Sequence, residues 1–238
     1  MKNKVLLIIP AYNEEDNIEK TVKKIIDYNK ASDVKVDYVV INDGSKDKTE
    51  EILIKNNINH IKLIQNLGIG GAVQTGYKYA YENDYDIAIQ YDGDGQHDVD
   101  YVDKLIMPII NDNIDMVIGS RFIEKSSSDF KSSFMRRIGI NIISFVIKLK
   151  TGKKIYDTTS GFRAVNRRII ELFNEYYPTE YPEPISTVTV INNKGNVSEI
   201  PVSMKEREGG KSSINSWKTV YYMINVILSI LLSKKGSK

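Results

Sequence analysis

The sequence predicts an α/β protein built on a mostly parallel sheet with helices on both faces. Through the first 120 of 238 residues, short apolar runs rich in β-branched residues alternate with amphipathic helical patterns. Such alternation is the mark of βαβ units. The runs are continuously apolar, as expected of strands buried on both faces. Each is followed by a polar, turn-rich stretch, so polar groups gather at the edge where open α/β sheets take their ligands.

The first strand is 4–9, KVLLII. Its basic start precedes an apolar run too short for a secretory leader, and Pro10 and charged residues come next, so it reads as a buried strand. Helical spacing covers 14–28 through Ile18, Val22, Ile25 and Ile26. Strand 36–41 (VDYVVI) and helix 47–56 come after it, then strand 61–64 (IKLI) and helix 70–83. Residues 86–91 (DIAIQY) and 115–118 (DMVI) complete the strands of this half.

Beyond residue 120 the pattern changes. Residues 121–133 read as a serine-rich loop, and 134–149 as a greasy helix with one polar stripe, Arg137, Asn141, Ser144 and Lys148. A polar connection over 150–168 contains DTTSGFRAVNRR, and 187–191 with 197–202 read as a hairpin turning at 192–196. After the loop KEREGGKSS (205–213), a final helix over 216–233 has 12 apolar residues among the 16 of WKTVYYMINVILSILL. At ~1.5 Å per residue those 16 span roughly 24 Å, short of the ~30 Å hydrocarbon core. A helix lying in a membrane interface fits better than a spanning one, with a core or dimer contact as the alternative. The division expected is a catalytic domain over 1–213 and an appended amphipathic helix with a basic tail over 214–238.

The absence of cysteine removes disulfides, zinc–thiolate sites and cysteine nucleophiles. Charge is lopsided: residues 1–120 carry 13 Lys and Arg against 21 Asp and Glu, whereas 121–238 carry 20 against 10. A basic half beside apolar helices suits phosphates or an anionic membrane surface. No nucleic-acid partner is implied, and a homo-oligomer stays open.

The chemistry lies in the loops just past the strands: PAYNEE after the first, NDGSKD after the second, NLGIGG after the third and DGDGQHD after the fourth. In the last, Asp92, Asp94 and Gln96 alternate, offering hard oxygen ligands suited to Mg²⁺ or Mn²⁺. A calcium loop is excluded: its sixth position needs glycine and holds His97, its twelfth needs glutamate and holds Asp103. His97 reads as a cap or turn residue. A divalent cation held by two aspartates matches the needs of a diphosphate leaving group. Asp43 is placed to accept hydrogen bonds from a base or ribose.

Taken in order and spacing, PAYNEE, NDGSKDKT, NLGIGGAVQTGYKYA, YDGDGQHD, GSRF and DTTSGFRA resemble the family 2 inverting glycosyltransferases of the Rossmann-like GT-A fold. The resemblance is strongest to the branch of dolichyl-phosphate mannose synthase and bacterial polyprenyl-phosphate sugar transferases, and spans roughly 4–213. It implies a nucleotide pocket from Pro10, Ala11, Tyr12, Glu14 and Asp43, with Gly71 at its edge. Asp92 and Asp94 become the metal-binding pair, with Gln96 as third ligand. Arg121 and one of Arg136 or Arg137 would hold an acceptor phosphate. Ser160, Gly161, Phe162 and Arg163 would lie beside the reacting sugar, and Arg207 and Lys211 on a loop closing over the donor diphosphate.

A hydroxyl acceptor needs a carboxylate base, whereas an acceptor phosphate is already ionised and mainly needs arginines. Family members acting on hydroxyls often carry a Glu-Asp base followed by Gln-x-x-Arg-Trp, and the sequence has neither. The expectation is a membrane-surface enzyme on the cytoplasmic face, moving sugar from a UDP-sugar, or next a GDP-sugar, to a polyprenyl phosphate. Transfer to a saccharide hydroxyl in cell-wall or capsule assembly is the alternative. Glu180 or Glu183 of TEYPEP would then be the base, unless both sit solvated on a rigid turn. A nucleotidyltransferase would be expected to carry a Gly- and Arg-rich loop where PAYNEE stands.

Overall fold

The computed structural model describes residues 3–123, 134–204 and 216–233. In chain order the elements are β1 (Val5–Ala11), α1 (Ile18–Ala31), β2 (Asp37–Asn42), α2 (Thr49–Lys55), β3 (His60–Lys62), α3 (Gly68–Glu82) and β4 (Ile87–Gln90). Then come α4 (Val102–Asn111), β5 (Met116–Ser120), α5 (Phe134–Thr151), β6 (Arg163–Asn166), α6 (Arg167–Glu175), α7 (Pro182–Asn192), β7 (Val197–Pro201) and α8 (Ser216–Leu232).

One sheet runs β3-β2-β1-β4-β6-β5-β7. Pairing is parallel except around β6, which lies antiparallel to both β4 and β5. The mostly parallel α/β prediction therefore holds. Alternate β1 side chains feed two cores. Leu6 and Ile8 join residues of α3, α5, α6, α7 and α8 on one face, and Leu7 and Ile9 join residues of α1, α2 and α4 on the other. Each such buried aliphatic contributes about 1.5–3 kcal/mol.

The predicted hairpin is overturned. Residues 187–191 belong to helix α7, and β7 pairs in parallel with β5. The run TVTVI has strand-like β-branching, but Pro182 occupies the first helical turn with Glu183 beside it. Packing against α5 and α8 then overrides local preference. The connection over 150–168 contains β6, and helices α4 and α6 fill stretches the periodicity left unassigned. On α5 the polar stripe is broken. Arg137, Asn141 and Lys148 are exposed, but Ser144 is buried and donates to the Ile155 carbonyl.

The final helix is neither wholly core nor wholly surface. Val226 and Ile230 are buried, while Ile224, Leu228 and Leu231 face outward. Among the described residues, no helix is long and apolar enough to cross a membrane.

Candidate active site

The carboxyl ends of β1, β2, β4 and β5 and the amino end of antiparallel β6 meet at one sheet edge. Most of the predicted site residues lie there. The loop after β1 is laced to the loop after β2. Asn13 donates its backbone N–H to the Ser45 hydroxyl (3.0 Å), accepts from the Lys46 N–H (2.8 Å), and Glu14 N–H donates to the Thr49 hydroxyl (2.9 Å). Glu14 is nearly buried, and its carboxylate accepts from the Asn17 amide at 3.0 Å. Pro10 and Ala11 are buried in the strand end, whereas Tyr12 just beyond it is 43% exposed.

Asp43 is buried where three loops meet. Its own N–H donates to the Ala11 carbonyl (2.9 Å), and its carboxylate accepts the Leu67 N–H at 2.7 Å. Burial pushes its carboxyl up, against the backbone N–H groups of Leu67 and Gly68. The next residue is a glycine by necessity. Gly44 has φ +66°, and a Cβ there would meet the Asn66 nitrogen at 2.8 Å. Asp43 thus ties the second loop to the start of α3, where Gly71 is buried in the first turn.

At the end of β4, Asp92 is fixed from behind. His97 is buried, and its Nε2 lies 2.9 Å from Asp92 Oδ2. A carboxylate only accepts, so Nε2 carries the proton and donates. The ring stacks on Phe162 with centroids 4.7 Å apart, and the His97 carbonyl accepts from the Tyr91 hydroxyl at 2.8 Å. Burial alone would raise the Asp92 carboxyl. Attraction to His97, its hydrogen bond and the charge of Arg121 outweigh that, and hold it below the ordinary value. Asp94 accepts the Gln96 N–H at 3.1 Å, which closes the turn between the two predicted ligands. Gly161 abuts the Asp92 carboxylate: a Cβ there would meet both Asp92 oxygens at 3.0 Å.

His97 is therefore a positioning residue, a role that reading it as a turn residue missed. The signal that would have found it is a histidine five residues beyond the carboxylate, yet only the fold brings the two together. If Asp92 is a metal ligand as predicted, His97→Ala is expected to cut activity about 10- to 100-fold, as loss of an outer partner of a ligand usually does. Gly161→Ala is expected to do so by up to about 100-fold through displacement of Asp92. Steady-state rates compared with thermal unfolding check both.

Two arginines predicted to touch substrate make buried contacts within the protein. Arg121 makes a buried pair with Asp157, Nε to Oδ2 at 2.7 Å and Nη2 to Oδ1 at 2.8 Å, with a further bond to the Thr159 hydroxyl. Burial opposes the Asp157 charge, but the Arg121 contacts hold its carboxyl below the usual range. Glu199 of β7 braces the same loop by accepting the N–H groups of Tyr156 and Asp157, both at 2.8 Å. Arg163 is completely buried. It donates to the Ser160 carbonyl from Nη2 (2.6 Å), and from Nη1 to the Glu183 carbonyl and the Ser186 hydroxyl (both 2.9 Å). It clamps the loop before β6 to the start of α7. Ser160 is buried in the same clamp.

The clamp sets Glu183. Burial raises its carboxyl, Arg163 opposes this, and repulsion from Asp92 adds to the rise. Glu180, by contrast, is exposed on the preceding turn. Arg137 is exposed and lies 4.9 Å over the Phe122 ring, next to Arg121. The Arg136 side chain, Arg207 and Lys211 lie outside the described residues.

Comparison with known proteins fits this arrangement. Residues 6–173 match Glycosyl transferase family 2. UDP-N-acetylglucosamine–dolichyl-phosphate N-acetylglucosaminyltransferase of Methanococcus voltae is 36% identical over 83% of this chain and 84% of its own. Dolichol-phosphate mannosyltransferase of Pyrococcus furiosus is 28% identical over 96% of this chain and 64% of its own. Glucosyl-3-phosphoglycerate synthase of Mycobacterium tuberculosis, solved with Mn²⁺, UDP-glucose and phosphoglyceric acid, has the same fold. It superposes with a TM-score of 0.73 at 18% identity, covering 96% of this chain and 79% of that one. The nucleotidyltransferase alternative falls away: the chain belongs to Glycosyl transferase family 2 and is a glycosyltransferase of the GT-A fold.

Proposed function

We propose that the protein transfers a sugar from a UDP-sugar to the phosphate of a polyprenyl phosphate at a membrane surface. The observation that carries the reading is the Asp92-x-Asp94 pair, at the end of β4 between the loops of β1 and β2 and the clamp of Arg163. The naming of the Methanococcus voltae relative supports both the UDP donor and the lipid-phosphate acceptor. An acceptor oxygen attacks the anomeric carbon as the bond to the UDP oxygen breaks. Configuration inverts, and UDP leaves with the electron pair.

Asp92, Asp94 and Gln96 form an all-oxygen set suited to Mg²⁺ or Mn²⁺, and UDP complexes with Mn²⁺ on the same fold agree. When bound, the cation would neutralise charge on the diphosphate. Asp92, held ionised by His97, keeps one ligand in place. Tyr12, Glu14 and Asp43 are assigned to the nucleoside. With Arg121 paired to Asp157, the acceptor phosphate falls to Arg137 among the described arginines. Thermal-shift measurements across nucleotides and their sugars with Mn²⁺ test the donor. Stabilisation by UDP and one UDP-sugar is expected, and stabilisation by GDP alone would overturn the UDP assignment.

The raised carboxyl of Glu183 favours a second reading, a base for a hydroxyl acceptor. Such a base works deprotonated, so its rate would climb with pH through a midpoint above the ordinary glutamate range. Glu183→Gln separates the two. A phosphate acceptor predicts less than a roughly tenfold loss and an unchanged pH profile. A hydroxyl acceptor predicts a loss of about a hundredfold or more together with that acid limb.

A further inference from the structure

Strand β4 reads IAIQ, and all four of its side chains are buried. Ile87 and Ile89 enter the core on the α1 side of the sheet, and Ala88 enters the core on the α3 side. By the strand period of two, Gln90 shares the face of Ala88. Its neighbours across the sheet are Ile8 of β1 and Arg163 of β6. Gln90 is 0% exposed, at a position where an aliphatic side chain would pack without penalty. Its Nε2 finds no hydrogen-bond partner among the described residues. An orphaned amide at the end of a core strand weakens the fold, so its presence points to a use outside packing.

The surroundings say what that use is. The Tyr177 hydroxyl donates to Gln90 Oε1 at 3.4 Å, which turns the amide NH2 the other way. A Cβ built on Gly161 would meet Nε2 and both Asp92 oxygens, all at 3.0 Å, so amide and carboxylate border the same small space. The reverse amide orientation would set a carbonyl oxygen against that carboxylate, and the two would repel. The amide also acts on Glu183. Burial raises the Asp92 and Glu183 carboxyls, and Gln90 is among the groups that oppose the rise in both. An amide NH2 carries two N–H donors, one for each carboxylate, and brings no charge to compete with a cation.

We propose that Gln90 is a second positioning residue beside His97: its buried amide faces both Asp92 and Glu183 and keeps the two carboxylates turned to the reacting centre. This deepens the proposed function and rests on its reading of Asp92 as a ligand of the cation. The two positioning residues come from different cores. His97 stacks on Phe162 of the core on the α1 side, whereas Gln90 is oriented by Tyr177 of the core on the α3 side, where Tyr177 packs on Tyr77 with ring centroids 5.3 Å apart. Asp92 is thus braced from both. The fold gives up some stability at Gln90 in order to hold the two carboxylates in place.

The test compares Gln90→Met, which keeps the shape and removes both donors, with Gln90→Glu and Tyr177→Phe in the full chain. In Gln90→Met, transfer is expected to fall about 10- to 100-fold, and calorimetric binding of UDP with Mn²⁺ to weaken about tenfold. Its unfolding temperature should stay the same or rise by up to about 4 °C, because an unpartnered buried amide is gone. A residue that serves packing alone does not set activity against stability in this way. Gln90→Glu places a carboxylate where both partners need a donor, and should lose at least as much transfer. Tyr177→Phe removes only the hydroxyl that orients Oε1, and should lose about two- to tenfold. Transfer at the wild-type rate by Gln90→Met overturns the proposal, as does a loss no larger than its loss of folded protein. Should Gln90→Met not fold, Tyr177→Phe decides, and a wild-type rate there overturns the proposal. UDP binding by the unmodified chain that ignores Mn²⁺ overturns the metal reading of Asp92 instead, and the transfer rate of Gln90→Met then decides on Gln90 by itself.

Discussion

Alanine at Asp94 is expected to lower sugar transfer about a hundred- to a thousandfold or more while leaving the fold intact. The side chain sits in the turn after β4, where it accepts the Gln96 N–H at the mouth of the cleft. On the proposed function, removing it takes a carboxylate from the cation and diphosphate, the kind of charge stabilisation worth that much in rate. As a substitution in a surface turn it should change stability by less than about 1 kcal/mol. Asp92→Ala differs instructively: it also strips buried His97 of its acceptor, so activity and stability should fall together. Initial rates with a labelled UDP-sugar, set beside thermal unfolding, check both. Undiminished transfer by Asp94→Ala in the presence of a chelator would end the metal assignment.

Breaking the Arg121–Asp157 pair is expected to have the largest effect on stability. Both side chains are almost wholly removed from solvent. Asp157→Asn leaves a buried guanidinium without its counter-charge, a loss of about 3–5 kcal/mol in urea unfolding. The pH dependence carries a sign. The Asp157 carboxyl is lowered in the folded protein, so its contribution is present above the ordinary aspartate range and lost as pH falls through the lowered value. The wild-type protein should therefore lose stability on acidification in that window, and the variant should lose less. Equal stability of the two at neutral pH would show that the pair does not hold the loop before β6. In that event Arg121 would return to the acceptor phosphate.

These outcomes mark where the sequence was legible. Strands β1, β2, β4 and β5 declared themselves because burial on both faces leaves continuous apolar runs, and the loop chemistry after each was readable as type and spacing. Strand β6 was not, because four residues headed by an arginine show no period. Helix α7 was misread because TVTVI has the local preference of a strand, and only its partners α5 and α8 decide otherwise. The arginines show a different limit. Sequence names a guanidinium but not its direction, and Arg121 and Arg163 both turn inward, to an aspartate 36 residues on and to carbonyls up to 20 residues on. His97 was hidden likewise, since its role exists only through Asp92 and Phe162.

The antiparallel course of β6 carries a consequence for how such enzymes diversify. Because β5 and β6 are adjacent and run in opposite directions, residues 121–162 leave the cleft edge and come back to it, like an enlarged hairpin connection. The length of this excursion can change without shifting the register of any strand, provided the Arg121–Asp157 pair, the Gly161 contact with Asp92 and the buried face of α5 are kept. Doubling a flexible connection costs only about 0.6 kcal/mol in closure entropy. On the proposed reading, changes in this one excursion would alter the acceptor side while leaving the loops after β1 and β2 as they are.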